Sequence, residues 1–109
     1  MIPIETLMES ETSLARVEIE HWVAEGWVRP EGSPGAWLFG EIDIARVRLI
    51  RTLRHEYRLE EDALPVILRL LDQLYDSRRD LHRLRRAIAR TAPEIQSALR
   101  AALADENEA

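Results

Sequence analysis

Acid–base or metal chemistry in this chain would have to come from its three histidines and twenty aspartates and glutamates, because it has no cysteine. Without thiols, disulfides and thiolate-zinc sites are excluded. His55-Glu56 opens like a zinc-binding helix in which two histidines four residues apart share one face, but Leu59 stands where the second histidine must be. His21, His55 and His82 are isolated from one another in sequence, each expected as a partly exposed helix residue. The four glycines fall at turns and make no phosphate-cradling loop. The carboxylates follow solvated helix faces. We therefore expect no catalytic residue, no metal set, no cofactor and no enzyme activity.

What remains is recognition by charge. The net charge of −5 is unevenly spread. Residues 1–45 hold two Arg against nine acids, residues 46–90 twelve Arg against seven, and residues 91–109 one Arg against four, giving −7, +5 and −3. All fifteen cations are Arg, which we ascribe to compositional bias rather than to selection at each site. With 109 residues, 46% of them hydrophobic, the chain has material for one domain with a modest core. The N-terminus, MIPIETLMES, has no basic residue and no long apolar run, so we expect no secretory signal, no membrane span and a cytoplasmic location.

The elements that must position these charges follow from periodicity. Residues 4–11 predict a short helix with Ile4, Leu7 and Met8 on one face, broken at Thr12-Ser13. Residues 14–25 predict a second, with Ile19, Trp22 and Val23 inward and Gly26 as its C-cap. Two short helices about a tight turn make a helix-turn-helix. Trp27-Val28-Arg29, stopped by Pro30, and Trp37-Leu38-Phe39 predict a hairpin wing whose aromatics lie on neighbouring helices. Residues 41–58 predict an amphipathic helix with Ile42, Ala45, Leu49 and Leu53 as its stripe, widened by Ile50 and Tyr57; Ile44 and Val47 fall off it, implying neighbours on two sides.

Glu60-Glu61-Asp62 and Pro65 suit a helix start, and the run to about Arg90 carries Ile67, Leu70, Leu74, Leu81, Leu84 and Ile88 as a heptad seam, broadened by Leu71 and Tyr75. Such a helix folds back on its own chain or pairs with a second copy, a homodimer through residues 67–88. After Pro93 a short helix is predicted over 94–104, with residues 105–109 a disordered tail. The expected fold is mainly α: a winged helix-turn-helix over 1–59, then a long helix or helical hairpin over 60–104 in the same domain.

A helix-turn-helix with a wing suggests a DNA reader, yet the charges oppose it. Duplex affinity comes mostly from neutralised phosphates. Here the second helix offers Glu18, Glu20, His21 and Glu25 against Arg16 alone, and the wing's Arg29 is offset by Glu31. The run Arg78-Arg79, Arg83, Arg85-Arg86, Arg90 is interspersed with Asp76 and Asp80 and reads as a solvated outer face. An acidic face of this kind suits a basic protein better than nucleic acid.

The order and spacing of Trp27-Val28-Arg29-Pro30, Trp37-Leu38-Phe39, Arg54-His55-Glu56 with Leu59, and Leu70-Leu71-Asp72 before the Leu/Arg-rich helix resemble the chaperone modulator CbpM family over most of residues 4–90. The N-terminal half is also similar to the MerR-type winged helix-turn-helix. The resemblance implies a non-enzymatic regulator that binds the J-domain of a DnaJ-like, CbpA-like co-chaperone and blocks its stimulation of the Hsp70 ATPase. It also implies that such J-domains present a basic helix to Hsp70, which an acidic competitor would match. By charge, the candidate partner-binding residues are Glu18, Glu20 and Glu25, with Glu9 and Glu11 beside them; Arg54, His55 and Glu56 join them from the family motif. Trp37, Phe39, Leu59 and Leu71 are expected to be structural. Ala15 stands where relatives would place a capping Ser, a local loss of about 1 kcal/mol unless Ser13 caps one turn earlier. The helix after Pro93 lies beyond the resemblance. The alternative is a MerR-like DNA-binding transcriptional regulator.

Overall fold

The computed structural model describes residues 1–108. In chain order these form β1 (Ile2–Pro3), α1 (Ile4–Ser10), α2 (Arg16–Ala24), β2 (Leu38–Phe39), α3 (Glu41–Arg51), α4 (Leu64–Ala89) and α5 (Pro93–Glu108), with a π turn over Thr52–Glu56 and a 3₁₀ turn over Glu61–Ala63. This is the predicted class: mainly helical, one two-stranded antiparallel sheet, a long C-terminal helix. Two compact units divide within α4, Met1–Arg69 and Leu70–Ala109.

The first unit is built around one apolar cluster to which every element contributes. Ile4 and Leu7 of α1, Ile19 and Trp22 of α2, Phe39 of β2 and Val47 and Ile50 of α3 are all buried in it, and Leu64 and Leu68 bring the first turns of α4 into the same core. Burying one such side chain contributes about 1.5–3 kcal/mol. Leu14 is buried in the turn between α1 and α2, where its N–H donates to the Glu11 carbonyl. At the far end of α2 the Gly26 N–H meets the Val23 carbonyl and the Trp27 N–H the Trp22 carbonyl, both at 3.0 Å, a Schellman closure with Gly26 at φ 78°.

The wing differs from the expected hairpin. Leu38-Phe39 pairs antiparallel with Ile2-Pro3 at the chain start, and residues 27–29 form no strand. The reason is where their backbone groups go. The Trp27 N–H closes α2, its carbonyl accepts from Arg46 Nε at 3.0 Å, and Pro30 has no N–H to give. Only Glu31 reaches Leu38, exchanging two hydrogen bonds of 3.0 and 2.9 Å. Phe39 is fully buried, while Trp27 and Trp37 pack half-buried at the edge of the core. The loop before Trp37 turns at Gly32 and Gly35, both at positive φ.

The phase of α3 is also corrected. Ile42 is 86% exposed and Ala45 and Tyr57 are exposed, whereas Val47, set aside as off-stripe, is fully buried beside Ile50. Ile44, Leu49 and Leu53 pack partly against the core. The helix starts at Gly40, where Asp43 Oδ2 accepts from the Gly40 N–H at 2.8 Å, and starting straight from β2 rotates it so that 47 and 50, rather than 42 and 45, face inward. It ends in the π turn: the Tyr57 N–H bonds to the Thr52 carbonyl at 3.1 Å, five residues back, and Arg58 takes a left-handed φ of 54°.

In the second unit, α4 ends at a turn fastened by Thr91, whose hydroxyl donates to the Ile88 carbonyl at 2.6 Å, while Gln96 Nε2 donates to the Thr91 carbonyl at 3.0 Å. The predicted seam is apolar but open: Leu70, Leu74, Leu81 and Leu84 are exposed, as are Ile95, Leu99 and Leu103 of α5. The tail expected to be disordered from residue 105 continues α5 to Glu108; Ala109 lies outside the described residues.

Gly26 and Gly32 separate two constraints. A Cβ on Gly26 meets nothing within 4 Å, whereas on Gly32 it would lie 2.7 Å from the Ala36 carbonyl oxygen. We expect Gly26→Ala to cost about 1 kcal/mol from the left-handed backbone alone, and Gly32→Ala distinctly more, compared by urea unfolding.

Candidate functional site

The surface around α2 divides by flank. Ile19 and Trp22 face the core. On one side Glu18 and His21, three residues apart, reach the segment after α3. Glu18 Oε2 accepts from His55 Nε2 at 2.7 Å, and its Oε1 accepts from the Ala15 N–H at 3.3 Å. That second bond covers the helix start that Ala15 cannot cap with its own side chain; Ser13 lies outside the helix. His21 Nε2 bonds to Glu61 of the 3₁₀ turn, and its ring meets Trp27 edge-on at 6.0 Å. Each side of this junction thus supplies one carboxylate and one imidazole.

His21 is held above its ordinary pKa by the hydrogen bond its ring donates to the Glu61 carboxylate, opposed by partial desolvation and helped by the charges of Glu61 and Glu25, with Arg54 acting the other way. On the opposite flank Arg16, the lone cation of α2, donates to Glu5 of α1 at 2.9 Å. That bond holds the Glu5 carboxyl below its usual range.

The candidate partner-binding residues therefore fall into three environments. Glu9, Glu20 and Glu25 are exposed. Glu18 and His55 are bonded to each other, and Arg54 Nη1 donates to the Leu59 carbonyl at 2.5 Å, bracing the turn that holds His55. Glu56 is exposed, with Arg51 Nη1 at 3.7 Å. Glu11 is only 9% exposed and lies between Arg48 Nε at 2.5 Å and Arg51 Nε at 3.4 Å, which ties the α1–α2 turn to α3. Sequence reasoning placed Glu11 on the acidic surface; the buried Leu14 three residues on was the available sign that this turn faces inward. His82 is exposed on α4. Among the described residues no three His, Asp or Glu side chains converge as a metal site, and no helix is long and apolar enough to cross a membrane.

Two expectations follow. Glu11→Ala, leaving Arg51 beside the core with only the exposed Glu56 carboxylate near it, should lower stability by about 2 kcal/mol in urea unfolding, less than for a fully enclosed pair because Arg48 stays half-exposed. For His21, a raised folded pKa means its contribution is complete below the unfolded value of about 6.5 and disappears as pH rises through the folded value. The stability difference between wild type and Glu61→Gln should then be larger at about pH 6 than at about pH 9.

No curated protein and no solved structure matches the chain. A family model does, over residues 2–86, from the sheet through most of α4. On that match, which takes in the helix-turn-helix and the wing, the chain belongs to the MerR HTH family of regulatory proteins.

Proposed function

We propose that this regulator acts in the cytoplasm on a protein rather than on DNA: it binds the J-domain of a DnaJ-like co-chaperone and inhibits its stimulation of Hsp70. The observation that carries this reading is the sign of the helix-turn-helix surface. The lone cation of α2 is bonded to Glu5, while Glu20 and Glu25 are exposed. A duplex approaching this face meets carboxylates, and a basic helix meets complementary charge. The resemblance of the Trp37-Leu38-Phe39, Arg54-His55-Glu56 and Leu70-Leu71-Asp72 segments to the CbpM family supports the same partner. Pairing of two copies through residues 67–88 would cover the exposed leucines of α4. The second reading, a DNA-binding transcriptional regulator, has the family's helix-turn-helix in its favour.

The J-domain should bind the wild-type chain with an affinity that falls as salt is raised, and Glu20→Arg with Glu25→Arg should weaken it about tenfold. Titration calorimetry measures both. Retention of duplex DNA at physiological salt, with no J-domain binding, would replace this reading by the second.

A further inference from the structure

The flank of α2 turned away from the histidine–glutamate exchange borders an open groove of about 450 Å³. Arg16 and Glu20, one turn apart, line it from α2, Glu5 from α1, and Ala36, Trp37 and Leu38 from the wing. It therefore lies between the second helix and the wing. Leu38 is 42% exposed, a large apolar side chain open to water, and Trp37 is half-buried beside it. Two carboxylates against one guanidinium leave the lining net negative, and the exposed Glu31, bridged to Leu38 through its backbone, adds another acid beside the same strand.

The backbone restricts what can bind there. Leu38 is paired with Pro3 on one side and with Glu31 on the other, so an incoming peptide finds no free strand edge at this point. An occupant must present side chains instead of a backbone ladder, which is how an amphipathic helix enters a groove, with anchors at i, i+3, i+4 and i+7. The acids around the groove select the charge on the rest of that helix.

We propose that this groove seats a cationic amphipathic helix of the partner protein, with its apolar stripe on Trp37 and Leu38 and its Lys or Arg residues beside Glu20 and Glu31. The inference rests on the J-domain reading for the partner's identity and adds to it the place of contact. Glu25, toward His21 on the other flank, is then outside the contact, and Ala36 is at its lip.

The test titrates the full chain with two probes: the J-domain, and a synthetic helix of about 15 residues with Leu at the anchor spacing and Lys elsewhere. Ala36→Arg places bulk and positive charge at an exposed lip position without removing a core side chain, and urea unfolding confirms that the fold is kept. Ala36→Arg and Glu20→Arg should each weaken both probes about tenfold, and Glu25→Arg no more than about twofold. Unchanged binding of the synthetic helix to Ala36→Arg overturns the groove, as does a Glu25→Arg loss equal to that of Glu20→Arg. A wild type that holds the synthetic helix in the groove but ignores the J-domain keeps the groove and removes the J-domain reading. A wild type that binds neither probe overturns both.

Discussion

The helix α2 has nine residues, and what each of its flanks meets decides most of what this surface can do. Ile19 and Trp22 commit one side to the core. Glu18 and His21 commit the next to the π turn and the 3₁₀ turn, through an exchange in which acid and imidazole alternate. That leaves the flank of Arg16 and Glu20 beside the wing, with the cation bonded to α1. A reader of nucleic acid needs that flank to carry unpaired positive charge. Its composition instead leaves carboxylates beside a groove that Trp37 and Leu38 also line.

The same exchange explains why the end of α3 is irregular. A regular α-helical end would rotate His55 and the residues after it relative to α2. The π turn inserts an extra residue into the ladder, Arg58 adopts a left-handed backbone, and Arg54 braces the Leu59 carbonyl. Local backbone of this kind persists where surrounding contacts determine it. Here those contacts include the Glu18 bond to His55 and, beyond the turn, the burial of Leu64 and Leu68 in the first unit's core.

Much of the architecture was legible because it depends on local rules. The inward face of α2, its glycine cap, the proline near the start of α4 and the long C-terminal helix are set by spacing and by residue types with few conformational options. Three features were not, each because a distant group decides it. The wing pairs with the chain start where both backbone groups of Trp27 are taken and Pro30 has no N–H for a ladder, and the Arg46 bond that occupies Trp27 comes from nineteen residues away. The phase of α3 depends on how it leaves β2, which periodicity alone cannot choose when Ile42, Ala45, Val47 and Ile50 offer two overlapping stripes. Glu11, His21 and His55 looked like solvated helix residues, and their partners lie between thirty-seven and forty positions along the chain. Ionic partners leave no period in a sequence. The candidate acids were therefore found as a charge excess, but which of them remain exposed was not.

The chain is a MerR-family helix-turn-helix whose outward helix face carries exposed carboxylates, with leucines of α4 and α5 exposed in a second unit. The central claim concerns competition, and the most direct measurement is the ATPase rate of Hsp70 stimulated by its DnaJ-like co-chaperone while this protein is titrated in. The account predicts that stimulation falls toward the unstimulated rate as the J-domain becomes saturated. Stimulation that stays constant at saturating concentrations of the folded protein would contradict it.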